Sequence, residues 1–166
     1  MSEKFQKLLS EYNSTDNELL KRKIYDAMMD YIDNGLARYE CYDMSLYVEL
    51  YKCSTTPGQR AYALKHIDEI IVDDYIYTDE IIDNFKEVVS LKRFLHMDDM
   101  VEFDILCMKV VSFFKTRFNR ANSGDEKYYS LETAKEDLHQ VVKIIMEGDG
   151  MSELGCYHQA RKISES

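Results

Sequence analysis

Apolar residues recur along most of this chain at the three-and-four spacing of a helix face, and the polar breaks between them predict where helices stop. Phe5, Leu8, Leu9 and Tyr12 share one face, which gives a leading helix over residues 1–13 that can lie at the periphery. After the break at Asn13-Ser14-Thr15-Asp16, Thr15 and Glu18 have capping-box spacing, and Leu20, Ile24, Ala27, Met28, Tyr31 and Ile32 line a first core helix that stops near Gly35. Leu46, Tyr47 and Leu50 predict a short helix over 45–52. Thr56-Pro57-Gly58-Gln59 combines a cap, a proline suited to the first helical position and a box-closing Gln, so a helix starts at Pro57. Its apolar face is Ala61, Leu64, Ile67, Ile70 and Ile71.

Thr78 can cap the next helix, in which Ile81, Ile82, Phe85, Val88 and Val89 recur towards Leu95. Over 98–118 the apolar residues spread around much of the circumference, from Met100, Val101 and Phe103 through Ile105, Leu106 and Val110 to Phe114, as expected of a central, buried helix. Residues 119–129 read as a loop. Leu131, Ala134, Leu138, Val141, Val142 and Ile145 then form a stripe ending at Gly148, and a weaker helix over 152–163 closes the chain. No repeat or linker divides residues 1–166, so the expectation is one all-α domain, a helical bundle.

Composition sharpens this picture. One proline and six glycines are too few for the turns of an all-β domain, and 45% hydrophobic residues in 166 suffice to fill one core. A formal charge of −10 argues against nucleic acid, whose phosphates are bound by clustered Lys and Arg. The acidic balance suits a well-solvated surface or a basic partner. Cys41, Cys53, Cys107 and Cys156 are widely spaced, and no secretory signal opens the chain, so a reducing, cytoplasmic setting is expected, with Cys107 a small buried hydrophobe. No stretch has the length and apolarity of a membrane span.

Chemistry-bearing motifs are sparse. The four histidines lack the partners at i, i+4 that would place two metal ligands on one helix face, and there is no Gly-rich phosphate cradle, nucleophile elbow or EF-hand loop. The expectation is a protein that is not an enzyme and needs no cofactor. Arg60 and His66 resemble the Arg-x-x-x-x-x-His pattern of helical toxin-type ribonucleases, but Ala61 follows the Arg where those enzymes place a polar residue. The pair reads as a solvent-facing Arg and a helix-end His. Asp79-Glu80 and Asp98-Asp99 read as first-turn acids that favour the helix dipole, and Asp73-Asp74 falls at a helix end. Among thirteen tyrosines, Tyr47, Tyr51, Tyr62, Tyr75 and Tyr77 crowd one region and suit a half-exposed contact surface; with Phe85 they are the candidate partner-binding residues.

The order of elements resembles the poxviral Bcl-2-like family of small helical virulence proteins. The resemblance runs from Asn17 to Ile163 and rests on Asp30-Tyr31-Ile32, Leu46-Tyr47-Val48-Glu49-Leu50, Ile67-Asp68-Glu69-Ile70-Ile71 and the run from Leu106 to Phe114. Val141 to Glu147 followed by Asp149 to Leu154 is similar to the family's closing helix pair. Asp33-Asn34 stands where the family commonly has Trp after Tyr-Ile, and Phe114 where several members carry Trp. The resemblance implies a Bcl-2-like bundle that either sequesters a host signalling adaptor or kinase on the NF-κB or interferon pathway, or binds BH3-containing proteins to inhibit apoptosis; a homodimer is one form it takes. The polar C-terminus, without an apolar tail, favours the signalling branch. A phage or bacterial immunity-type inhibitor whose acidic face covers a basic toxin is the alternative from another class.

Overall fold

The computed structural model describes residues 1–37, 43–73 and 77–166, and among these every regular element is helical. Cys41, Asp74 and Tyr75 lie outside the described residues. The α-helices are α1 (Glu3–Ser14), α2 (Glu18–Ala37), α3 (Met44–Lys52), α4 (Pro57–Ile71), α5 (Thr78–Ser90), α6 (Met100–Asn122), α7 (Leu131–Glu147) and α8 (Gly155–Glu165). Tight 3₁₀ turns at Leu91–Phe94, Met97–Asp99 and Met151–Glu153 join α5 to α6 and α7 to α8.

Short polar side chains start most helices by accepting a first-turn amide that has no partner within the helix. Ser2 takes the Phe5 amide at 3.2 Å, Asp43 the Ser45 amide at 3.0 Å and Ser130 the Thr133 amide at 3.1 Å. At Pro57 the expected box forms with a shift of one position: Thr56 accepts from the Gln59 amide at 3.2 Å, while Gln59 accepts from the Thr55 amide at 2.8 Å. Two expected caps move. Asn17, not Thr15, caps α2 through the Leu20 amide at 3.0 Å, and Thr78 is the first residue of α5, not its cap.

Buried side chains from all eight helices form one contiguous cluster. Each large one, such as Phe85, Phe103 or Phe114, contributes about 1.5–3 kcal/mol on leaving water. The α6 helix packs on α7 and α8 and touches α4; α3 packs on α4 and α5, and α1 on α2. The leading helix is not peripheral: Phe5 is fully buried, and the Tyr12 hydroxyl donates to the Cys53 carbonyl at 3.0 Å. Leu20 and Ala61, expected on core faces, are exposed, and Ala63 takes the inward place on α4.

The expected central helix differs most. It continues to Asn122, absorbing the start of the expected 119–129 loop, and it is not buried all round. Phe103, Leu106, Cys107, Val110, Val111 and Phe114 face inward, whereas Val101 and Ile105 are 71% and 59% exposed. Helices cover one side of α6, and periodicity alone cannot show whether a second apolar side is covered too.

Candidate functional site

Arg60 is not a surface residue. Its side chain lies in the α3–α4–α6 junction, where Nε donates to Asp99 Oδ2 at 2.8 Å with both side chains about nine-tenths buried. The Tyr51 hydroxyl donates to the same oxygen at 2.5 Å and accepts the His96 amide at 3.1 Å. Burial, followed by the hydrogen bond to Asp99, pushes the Tyr51 phenol up to about 12. The four groups form a closed polar network in which each buried charge has a partner. Asp99, expected as a first-turn acid of the dipole kind, is the acceptor at its centre.

His66 stands six residues along α4, roughly 120° around the axis from Arg60. It is half-buried, with its ring stacked on Tyr47 at 4.9 Å and edge-on to Tyr62 at 4.5 Å. Nδ1 lies 3.3 Å from Glu69. Burial holds the imidazole below its ordinary value against the pull of Glu69, so it is neutral at pH 7. The guanidinium and imidazole therefore face different neighbours, and the arginine's charge is committed to Asp99. Nothing here assembles the Arg–His pair that the sequence raised.

The candidate contact residues separate in the same way. Tyr47, Tyr51 and Phe85 are fully or almost fully buried, so their rings pack the core instead of forming a half-exposed surface. Tyr62 is half-buried and donates to Asp33 at 3.4 Å. Tyr77 is 80% exposed. Sequence reasoning missed the surface that is open: Met97, Val101 and Ile105 follow one another at four-residue spacing along the start of α6 and point to solvent. Beside them a groove of about 410 Å³ runs between α4 and α6, floored by Ala61, Leu64, Ile105 and Leu106 and edged by Lys65, Asp68 and Glu102. Lys109 closes one end by donating to the Asp68 carbonyl at 2.8 Å.

At the far end of α6, the Arg117 guanidinium lies over the Tyr129 ring at 3.8 Å, and Asp137 of α7 is buried with Oδ2 unbonded. Desolvation raises the Asp137 carboxyl above its ordinary range, against the pull of Arg117. Cys53, Cys107 and Cys156 are free and buried; burial pushes Cys53 up to about 12, and the contact with Cys156 together with burial raises Cys107. These thiols are poor nucleophiles. Among the described residues no group of three or more His, Cys, Asp or Glu could hold a metal ion, and no helix is long and apolar enough to cross a membrane.

The fold and these surfaces define an all-helical chain whose buried polar groups serve packing and whose open features are apolar. No family model matches the chain, and no curated protein or solved structure does so either.

Proposed function

We propose that this chain is a non-catalytic protein that works by binding other proteins, with a host innate-immune signalling adaptor or kinase as its target. The observation that carries the reading is the set of apolar side chains held in water, Tyr77, Met97, Val101 and Ile105, on an otherwise charged surface. Such side chains gain by being covered, and interface cores are enriched in aromatic residues and Met. The commitment of Arg60 to Asp99 favours binding over the ribonuclease alternative. The choice of a signalling target rests on the resemblance to the poxviral Bcl-2-like family, as does a Bcl-2-like reading of the bundle.

Expression in host cells carrying NF-κB and interferon reporters tests it, together with affinity capture from the same cells. Suppression of either reporter with recovery of a pathway component is the expected result, and Tyr77→Ala weakens both. Unchanged reporters beside sub-micromolar binding of a BH3 peptide in calorimetry would transfer the protein to the apoptotic branch.

A further inference from the structure

The charges of α6 and the turn leading into it are sorted along its length. From Asp98 to Ile105 there are acids only, Asp98, Asp99, Glu102 and Asp104; from Leu106 to Arg120 there are bases only, Lys109, Lys115, Arg117 and Arg120. The helix dipole favours such sorting, but its influence fades within the first and last turn, and Lys109 and Lys115 lie further in. The open stripe of Met97, Val101 and Ile105 occupies the acidic half and spans about 12 Å. The groove between α4 and α6 lies alongside it. Contacts of Arg60 with Asp99 and of Asp68 with Lys109 show that α4 runs parallel to α6, which sets Lys65 beside the middle of the stripe.

We propose that a second copy of this chain covers the stripe, through antiparallel packing of α6 on α6 about a two-fold axis near Ile105. Only the antiparallel arrangement brings the acidic half of each α6 onto the basic half of the other; a parallel pair would set like charges against each other. About that axis Ile105 meets the partner copy's Ile105, Val101 lies against the aliphatic stem of the partner copy's Lys109, and Glu102 faces that lysine's ammonium. The interface is isologous, so each contact occurs twice. A stripe of this length makes a small interface, and the −10 charge of each copy opposes association, so the dimer is weak and concentration-dependent. Tyr77 begins α5, whose Asp79 acts on Asp137 beside Arg117, at the other end of α6. The dimer therefore leaves Tyr77 open, in duplicate, for the target proposed above.

Sedimentation equilibrium of the purified chain from low micromolar to near-millimolar concentration tests this without reference to any host partner. Wild type is expected to dimerise reversibly, and Ile105→Glu, at an exposed position that leaves the fold intact by circular dichroism, to weaken the dimer at least about tenfold. Glu102→Lys weakens it too, and adding Lys109→Glu restores association because both charge pairs return with reversed sign. A wild type that stays monomeric overturns the proposal, as does a dimer indifferent to Ile105→Glu, or a charge-swapped double variant that fails to recover. A monomeric wild type whose capture of host protein is lost in Ile105→Glu would give the stripe to the host partner and equally overturn it, while leaving the proposed function standing.

Discussion

Replacing Arg60 by Ala removes the one positive charge that contacts the buried carboxylate of Asp99 and leaves it with the Tyr51 hydroxyl and no counter-ion. At a charge separation of about 4 Å and an effective dielectric of about 20, the lost attraction is about 4 kcal/mol. Breaking a buried pair from one side costs about 3–5 kcal/mol in practice, because the remaining charge keeps its desolvation penalty. For a chain of this size each kcal/mol lowers the melting temperature by about 2–4 °C, so Arg60→Ala should melt roughly 6–20 °C below wild type. Tyr51→Phe removes one hydrogen bond to a charged group and should cost about 1.5–3 kcal/mol. The informative control is Arg60→Met with Asp99→Leu: an apolar pair of similar volume needs no partner and should recover most of the loss. Thermal unfolding followed by circular dichroism, with urea titration for the free energies, completes the cycle. An Arg60→Ala protein melting within about 2 °C of wild type would refute the reasoning, because it would mean that Asp99 is solvated in solution.

Three further outcomes follow from the same packing. Asp137 has a raised carboxyl, with desolvation first among the causes, Arg117 of α6 opposing it and Asp79 of α5 and Glu136 of α7 adding to it. The folded state therefore holds this proton more tightly than the unfolded chain, and stability rises as pH falls from the raised folded value towards the ordinary one. Asp137→Asn should stabilise by about 1 kcal/mol at neutral pH, a gain that fades below about pH 4, as pH-dependent urea titration would record; an equal gain at every pH would exclude titration as the cause. Asp104 accepts the Cys156 amide at 2.8 Å, so Asp104→Ala should cost about 1–2 kcal/mol in urea titration, as loss of a cap does. Val110 is fully buried on α6, and Val110→Asp should abolish the cooperative melting transition by placing an unpaired carboxylate in the core.

The helices themselves were legible because their signals are local. Thr56 and Pro57 mark the start of α4, and the stripes of α5 and α7 match their buried faces closely. What escaped was whatever depends on which helix comes to lie beside which. Arg60 and Asp99 are 39 positions apart and each looks like a solvated charge until α4 is laid along α6. Tyr47 and Tyr51 carry both ring and hydroxyl, a chemistry equally suited to a wet interface and to a satisfied core, and their burial decides for the core. Val101 and Ile105 erred in the opposite direction. Apolar residues on a second side of a helix suggest full burial, yet α6 has no neighbour there.

The amide that Asp104 holds belongs to the first turn of α8, a helix of eleven residues with no capping side chain of its own. Isolated helices shorter than about 12–15 residues are marginal in water, so α8 persists only while docked. It also packs close to α6: a Cβ on Gly155 would come within 3.0 Å of Asp104 Oδ2. Undocking of α8 is thus the cheapest breach of the core, and it uncovers Cys156 together with Cys107, its partner on α6. The chain carries its own clock for that event. Under native conditions a thiol reagent should label these two cysteines together, at a rate set by how often the C-terminal helix lifts, and Asp104→Ala should quicken both by the same factor.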